Sequence, residues 1–408
     1  MWRNGLIVGP TGPRANVANA IHALRYCPLW AGVLAFDEHA MRTVALKAPP
    51  WDSVAHDHPP RTWTPRDDVL ATKWFQHANI GVALNIAQQA IETVAQDATF
   101  HPIRDYLGSL EWDRKPRVDR FAGRYLGAVD TLFARSVGRA FLVSAVARVY
   151  RPGAKADHML ILEGPQGRGK SSALAALAQP WHSDELADLG SKDAAMQARA
   201  AWLIEIAELE SMNRADVSKI KAFLSRTTDR FRPPYGSRII EVPRQCVFAG
   251  STNSDTYLRD ETGGRRFWPI KVGRIDLNAI RRDRDQIWAE AVALFKAGER
   301  WWLEGSAATL ASHEQMARLI DDPWDALIDD FVHTRQNVSI PEILQSALKL
   351  DEARWDQTNR NRVARCLLSR GWERYQFRAE SGKREWRYKR GALQSDLDLH
   401  SQSPVEDR

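Results

Sequence analysis

Apolar residues recur with a helical period in the first third of the chain. From Val82 an apolar residue returns at every fourth position, at Ile86 and Ala90, and this spacing predicts an amphipathic helix. Two further helices are predicted over residues 121–125 and 132–149. This part of the chain is therefore expected to be mainly helical.

The middle of the chain changes to short apolar runs that are separated by helical segments. Residues 159–162, 201–206 and 246–250 are the expected strands, and an Ala/Leu-rich helix is expected over residues 171–177. Strands that alternate with helices favour an α/β domain with a largely parallel sheet.

The last part of the chain predicts two helices followed by a charged hairpin. Ser339 with Glu342 three residues later has the form of a capping box at a helix start. A second helix is expected over residues 357–369, and alternating aromatic and charged residues over 372–388 indicate two strands. This order favours a winged-helix-like module. Its core is expected to contain the tryptophans Trp355, Trp372 and Trp386.

These patterns divide the chain into five parts. Two Pro-Pro pairs mark irregular connecting chain before the helical part, and the polar composition after Gly391 predicts a disordered tail. The expected parts are a mixed segment at 1–65, a mainly helical domain at 66–150, an α/β core at 151–305, a helical linker with the winged-helix-like module at 306–390, and the tail at 391–408.

The overall composition is that of an ordinary globular protein. Of the 408 residues, 44% are hydrophobic and 26% are charged, and the formal net charge is +6. No apolar run approaches the roughly 18 residues of a spanning helix, and the N-terminus lacks the apolar stretch of a secretory signal. No membrane association is expected. Three widely spaced cysteines outside any Cys/His cluster argue against a zinc site and fit a reducing cytosol.

A glycine-rich sequence after the first strand of the middle part matches the phosphate-binding loop G-x-x-x-x-G-K-[ST] at every fixed position. Glycines let the backbone curl around phosphate oxygens, the lysine can reach the β- and γ-phosphates, and the hydroxyl can bind Mg²⁺. ATP and Mg²⁺ are therefore the expected cofactors. The nucleotide-binding residues are Gly164, Pro165, Gln166, Gly167, Arg168, Gly169, Lys170, Ser171 and Ser172.

Polar residues follow the next two expected strands. Glu205 ends the second strand, where a carboxylate can hold Mg²⁺ beside Ser171. Glu208 lies three residues later and could orient the attacking water, as could Asn253 after the third strand. Solvated acids at a loop edge are the alternative for Glu205 and Glu208.

Two adjacent arginines, Arg265 and Arg266, lie in a loop made flexible by glycines. Such a pair suits an arginine finger, which stabilises charge on the transferred phosphoryl group. If the pair reaches the nucleotide of a neighbouring subunit, the active unit is a ring. A surface charge pair is the alternative.

Together these motifs resemble the virulence-associated protein E family, which comprises replication proteins of phages, prophages and genomic islands. The similarity consists of short blocks in one order over most of the chain, and its core also resembles the superfamily 3 helicases, AAA+-related hexameric motors. The blocks lie at residues 100–107, 110–113, 162–167, 205–209, 220–224, 232–235, 252–253 and 264–269.

The resemblance implies an α/β P-loop NTPase core of the AAA+ type in a bacterial cytosolic protein. It implies that Lys170 and Ser171 bind nucleotide and Mg²⁺, that Glu205 is the Walker B acid and Asn253 the sensor, and that Arg265 or Arg266 acts in trans. One departure is that no adjacent pair of acids follows the Walker B strand, which leaves the roles of Glu205 and Glu208 undivided. Residues 1–150 carry no acidic primase constellation, so priming is not expected.

Two regions are expected to contact DNA. Superfamily 3 helicases place a DNA-gripping hairpin between the Walker B and sensor strands, which nominates Arg238 with Arg232 and Tyr235; Arg232 could equally serve the nucleotide. Residues 355–390 carry eleven basic and four acidic residues, so the net positive charge of this segment exceeds that of the whole chain. A packing hairpin and a basic protein-interaction face are the alternatives. The C-terminal contacts are expected from Arg360, Arg362, Lys383, Arg384 and Arg387.

The expected function is an ATP-dependent DNA helicase or translocase that acts as a homo-oligomeric, hexameric ring on single-stranded or forked DNA during replication of a mobile element. An ATP-switched initiator or loader with little unwinding activity is the alternative. A factor that interferes with another replicon is a third possibility.

Overall fold

The computed structural model describes residues 2–52, 60–185, 191–209, 214–232, 239–258, 264–318, 323–378 and 384–390. The chain divides into two units, Met1–Leu319 and Ile320–Arg408. Each unit has its own apolar core, and each is described by itself.

The first hundred residues form a small mixed layer around one core that contains Trp30, Phe75 and Ile91. The four-stranded sheet has the order β5-β4-β3-β6, with β6 parallel to β3. Thr64 and Asp67 form a capping box that begins the second helix. The elements are β1 Val8–Gly9, β2 Gly12–Pro13, α1 Val17–Tyr26, β3 Leu34–Asp37, β4 Arg42–Ala45, β5 Arg61–Thr62, α2 Pro65–His77, α3 Leu84–Ala95 and β6 Thr99–Phe100.

A helical segment connects this layer to the central sheet. It consists of α4 Pro102–Ser109, a π-helical turn at Phe121–Tyr125 and α5 Leu132–Tyr150. Fourteen of the nineteen α5 residues are buried, and residues 140–149 are buried without a break, so protein surrounds the second half of this helix on all sides. No helix in the described part of the chain combines the length and apolar character of a membrane span.

A five-stranded parallel sheet forms the centre of the first unit, as the alternation of strands and helices predicted. Its order is β13-β7-β12-β9-β8, so β12 lies between β7 and β9. The three inner strands are buried along their whole length, which explains their continuous apolar sequences. The elements are β7 Met159–Glu163, α6 Lys170–Ala178, β8 His182–Ser183, α7 Lys192–Ala200, β9 Leu203–Ile206, α8 Arg214–Leu224, β10 Thr228–Phe231, β11 Ile240–Pro243, β12 Val247–Thr252, β13 Phe267–Lys271, α9 Leu277–Lys296 and α10 Gly305–Met316.

The described part of the second unit contains a short three-stranded sheet of order β14-β16-β15 and three α-helices, one of which is a single turn. Ser339 and Glu342 form the predicted capping box, and the second predicted helix has the predicted bounds. The elements are α11 Pro323–Val332, β14 Asn337–Val338, α12 Ile340–Glu342, α13 Gln357–Ser369, β15 Trp372–Arg378 and β16 Arg384–Arg390.

The expectation that all three tryptophans of this unit lie in its core is wrong for one of them. Trp372 is buried and Trp355 is half-buried, but the Trp386 side chain is 51% exposed. Trp386 pairs with Gln376, two positions further along the hairpin than the pair of Tyr388 and Arg374. The core of the unit covers Tyr388 and does not extend to Trp386.

A buried histidine at the start of the central sheet gives the first unit a pH-dependent stability. The His158 ring stacks on Trp268 with 3.6 Å between ring centroids, and its Nε2 lies 3.1 Å from Ser144 Oγ. Burial, with a smaller contribution from Arg148, lowers the pKa of His158 to about 3. Between pH 6.5 and 3 the unfolded chain therefore holds a proton that the folded chain lacks, so stability falls as the pH falls through this range.

We predict that His158→Phe, which retains an aromatic ring against Trp268, makes this fall in stability shallower by up to about 1.4 kcal/mol per pH unit. Urea unfolding of the first unit between pH 4 and 6 measures the slope. His77→Gln, at an exposed position, is the control and should leave the slope unchanged. Equal slopes in the wild type and His158→Phe would show that His158 takes up its proton equally in both states.

Candidate active site

The loop at residues 164–169 joins the carboxyl end of β7 to the first residue of α6. Gly167 and Gly169 have φ angles of 79° and 81°, which residues other than glycine rarely adopt. Gly169 is also the N-cap of α6, so the loop delivers Lys170 directly into the first turn of that helix. Residues 165–168 are exposed, and the loop is therefore open to a ligand from solvent.

Lys170 links this loop to the end of β12. Its side chain is buried, and its ammonium group donates hydrogen bonds to the carbonyl oxygens of Gly164 at 2.6 Å and Pro165 at 3.0 Å. A third donation reaches Asn253 Oδ1 at 3.0 Å. Because β12 pairs with β7, the residue after β12 lies beside the loop after β7. The structure therefore brings together Lys170 and Asn253, which the sequence placed 83 residues apart.

Glu205 lies on β9, level with Ala249 of β12. Its side chain is 1% exposed, and its Oε1 accepts hydrogen bonds from Ser171 Oγ at 2.6 Å and Ser251 Oγ at 2.8 Å. Burial acts to raise the pKa of Glu205, but the neighbouring His182 ring and the two hydroxyl donors outweigh it and lower the pKa. Glu205 is therefore a buried carboxylate that is charged at neutral pH.

The second oxygen of this carboxylate is the atom that could hold a cation. Glu205 Oε2 is buried and has no hydrogen-bond partner among the described residues, since His182 Nε2 lies 3.5 Å away. Mg²⁺ prefers oxygen ligands, usually keeps several waters and takes one or two protein carboxylates. A carboxylate with a free oxygen beside the Ser171 hydroxyl fits that donor set.

Glu208 lies apart from this contact. It is exposed and has a φ angle of 54°, which costs roughly 1 kcal/mol for a residue with a side chain. Strained residues of this kind occur frequently at functional sites. The described hydrogen bonds of Glu205 come from Ser171 and Ser251 and do not involve Glu208.

Arg265 and Arg266 lie at the amino end of the parallel strands, whereas the loop lies at their carboxyl end. They form a single turn before β13, whose first residue pairs with Met159 at the start of β7. The loop leaves the other end of β7, so about 13 Å of strand separates the two levels. Arg266 is half-buried and donates from Nε to Ser225 Oγ at 2.9 Å, whereas Arg265 is exposed.

Sequence reasoning missed one group that supports the loop from behind. Glu163, the residue before Gly164, is 1% exposed and accepts hydrogen bonds from Tyr257 Oη at 2.7 Å and Arg318 Nη2 at 2.7 Å. Burial acts to lower the pKa of Arg318, but Glu163 and Glu314 outweigh it and raise that pKa. Burial and Glu163 raise the pKa of Tyr257. An acid at the end of an apolar strand was the only signal in the sequence, since Arg318 lies 155 residues away.

The expected DNA contacts are only partly described. The strands β10 and β11 form an antiparallel ladder, as the predicted hairpin requires, and Arg232 is exposed directly after β10. Tyr235 and Arg238 lie outside the described residues, as does Lys383 of the C-terminal hairpin.

The remaining arginines of the second unit are held in different ways. Arg360 donates to the Trp355 carbonyl at 3.0 Å, and the Arg362 guanidinium lies 3.8 Å from the ring centroid of Trp324. Arg387 is bound to the Glu342 carboxylate at 2.5 Å, whereas Arg384 is exposed.

Comparison with known proteins identifies the family. The sequence profile of the virulence-associated protein E-like domain matches residues 107–320, just over half of the chain. The chain belongs to this family. The match confirms the resemblance found in the sequence, and the matched virulence-associated protein E-like region contains the loop, Lys170, Glu205 and Asn253.

Similar solved structures were also found for this virulence-associated protein E-like protein. An apo structure of the NrS-1 C-terminal region is 12% identical, with a TM-score of 0.45, over 89% of this chain and 99% of that one. Two A-form apo structures of the same region are also 12% identical. The first has a TM-score of 0.42 over 84% of this chain and 84% of that one. The second has a TM-score of 0.47 over 88% of this chain and 96% of that one. No curated protein matches significantly.

We predict that Arg318→Met destabilises the first unit by about 3–5 kcal/mol, because it leaves the Glu163 carboxylate buried without a cation. The double variant Glu163→Gln/Arg318→Met removes that charge and should recover most of the loss in urea unfolding.

Arg300→Met is the matched control, since the Arg300 side chain is 64% exposed and pairs with Glu304 at the surface. Its cost should stay below about 1 kcal/mol. A double variant as unstable as Arg318→Met alone would show that packing, not charge compensation, holds this group together.

Proposed function

We propose that this protein is a P-loop ATPase that moves single-stranded or forked DNA through a ring of subunits during replication of a phage, prophage or genomic island. The observation that carries the proposal is the meeting of Lys170, Asn253 and the Ser171–Glu205 contact at the carboxyl edge of one parallel sheet. Membership of the virulence-associated protein E-like family supports the biological setting, because the resemblance found in the sequence is to replication proteins of phages, prophages and genomic islands.

The loop and Lys170 bind the triphosphate. The ammonium group now donates to two loop carbonyls, and phosphate oxygens would be stronger acceptors because they carry charge. The N-terminal end of α6 adds the favourable dipole of an unpaired helix terminus. Mg²⁺, held by Ser171 and Glu205, would neutralise charge on the phosphates.

Asn253 and Glu208 are the groups proposed to orient the attacking water. The amide of Asn253 already contacts Lys170, so it lies within reach of a bound γ-phosphate. Glu208 is exposed on a strained backbone at the same edge of the sheet, shortly after β9. Glu205, which is buried and hydrogen-bonded to two hydroxyls, is better suited to hold the metal ion.

The transition-state arginine is proposed to come from another subunit. Arg265 and Arg266 lie at the amino edge of the sheet, so they cannot reach the loop of their own chain. A head-to-tail arrangement of subunits in a closed ring would place this edge against the next nucleotide. Arg265 is the stronger choice for the finger because it is exposed, whereas Ser225 holds Arg266.

An ATP-switched initiator or loader uses the same site and remains the second proposal. The basic second unit suits attachment to DNA in either case. Displacement of a labelled strand from a fork separates the two proposals, because a loader hydrolyses ATP without releasing the strand.

We predict that Lys170→Ala and Glu205→Gln each lower DNA-stimulated ATP hydrolysis by roughly 100-fold or more, since the first removes a positive charge at the phosphates and the second removes a ligand of the proposed Mg²⁺. Phosphate release measures turnover, and a fluorescent ATP analogue measures binding. Glu205→Gln should also raise the Mg²⁺ concentration that gives half-maximal turnover, because it removes a ligand of the proposed ion. Lys296→Ala, at an exposed position at the end of α9, is the control, with turnover within about threefold of wild type. Full hydrolysis by Lys170→Ala would refute the assignment.

We further predict that Arg265→Ala abolishes turnover while nucleotide binding is retained. Mixing it with Lys170→Ala should restore activity, because the intact arginine of one variant completes the intact pocket of the other. In random mixed rings about a quarter of the pockets would be complete. Arg266→Ala serves as the comparison at the anchored position. Normal hydrolysis by both arginine variants, or turnover by a monomer, would exclude a shared site.

A further inference from the structure

The hairpin of β15 and β16 has two faces with different chemistry. Cross-strand partners share a face, and the pairs Arg374–Tyr388, Gln376–Trp386 and Arg378–Arg384 therefore lie on one side. We define the stacking face as the exposed outer part of this side, formed by Arg374, Gln376, Arg378, Arg384 and Trp386.

Trp386 is the central feature of the stacking face. Half of its side chain is exposed, whereas Trp372 and Tyr388, further down the same side, are 5% and 2% exposed. The Arg374 guanidinium lies 4.0 Å from the Trp386 ring centroid. This cation–π contact supports the indole from one side and leaves aromatic surface accessible.

The charge of the stacking face is entirely positive. Arg374, Arg378 and Arg384 are exposed, and within the described part of the chain no ion pair involves any of them. The opposite face carries Glu373 and Glu385 beside its basic residues.

Arg387, which the sequence nominated for DNA, lies on that opposite face, where it pairs with Glu342 and Glu385. The uncompensated positive charge of the hairpin is therefore concentrated around Trp386.

We propose that the stacking face binds single-stranded DNA, with an unpaired base stacked on Trp386 and the flanking phosphates held by Arg378 and Arg384. An aromatic ring stacks on any base, and basic side chains around it follow the backbone. Bases in a duplex are already stacked on each other and are not available, which favours the single strand. This proposal rests on the proposed function for the presence of DNA, and it names a contact of the second unit with it.

Fluorescence anisotropy with three labelled probes tests the proposal on the full-length protein. The probes are a single-stranded oligonucleotide, the same strand with abasic spacers and a blunt duplex. Trp386→Ala should weaken binding of the single strand by roughly 5- to 100-fold and leave the other two probes within about twofold. Trp386→Phe should retain most of the affinity, because it keeps an aromatic face.

Salt dependence separates stacking from charge. Trp386→Ala should leave the slope of log K against log salt unchanged, whereas Arg384→Ala should reduce it by about 0.7 for one lost phosphate contact. Trp302→Ala, at a 46% exposed tryptophan of the first unit, and Lys389→Ala, on the opposite face, are the matched controls and should bind the single strand as wild type does.

Two results would overturn the proposal. One is wild-type affinity of Trp386→Ala for the single strand, which would leave the face to a protein partner. The other is an equal loss for the abasic strand, which would show that the indole stacks on no base. Basal ATP hydrolysis without DNA, measured on the same samples, should be unchanged in Trp386→Ala. If the wild-type protein showed no ATP hydrolysis, the proposed ATPase activity would be refuted, but the result of the binding experiment would still stand.

Discussion

The candidate site depends on one carboxylate that is buried and still charged. Removing an ion of this kind from water costs several kcal/mol, which only partners of suitable chemistry offset. Two hydroxyl donors, Ser171 and Ser251, lie on one oxygen of Glu205, and the other oxygen has no hydrogen-bond partner among the described residues. His182 Nε2 lies 3.5 Å from that oxygen, and the proposed Mg²⁺ would offset the cost further. The order of the strands produces this arrangement, because β12 contributes Ser251 between the strand of Glu205 and the strand that leads to Ser171.

The features that the sequence predicted well are those that local chemistry determines. The strands at 159–163 and 247–252, the helix after the loop and the helix over 357–369 follow from apolar runs, glycines and caps that are neighbours in sequence. The parallel sheet follows from their alternation. The partnership of Glu163 with Arg318 could not be predicted, since nothing near either residue specifies a partner 155 positions away. The prediction that Trp386 lies in the core was wrong for a related reason. Alternation in a strand assigns a side chain to a face, but only the tertiary structure determines how far the core extends along that face.

The position of Arg265 and Arg266 limits their possible roles more strongly than their presence in the sequence does. A pair of arginines in a glycine-containing loop is compatible with many roles, and the sequence alone left a surface charge pair open. The pairing of Phe267 with Met159 puts the two arginines at the amino end of the strands, whereas the glycine-rich loop lies at the carboxyl end. Arg266 is bonded to Ser225 within its own chain, and this bond leaves Arg265 as the exposed member. If either arginine acts on a nucleotide, geometry requires that a second chain supply the loop.

The proposed contact on the second unit would hold DNA without reading its sequence. Hydrogen bonds to base edges would make the grip depend on the bases, whereas an exposed indole accepts any of them and guanidinium groups hold phosphates by charge. A large exposed aromatic side chain is an unfavourable feature for a soluble surface, and the rest of this unit buries its tryptophans to a greater degree. The surrounding arginines lack carboxylate partners within the described residues, and Glu373 and Glu385 lie on the other face of the same hairpin. Exposure of the ring and segregation of the charge occur on the same face, and a polyanion with unstacked aromatic bases is complementary to both.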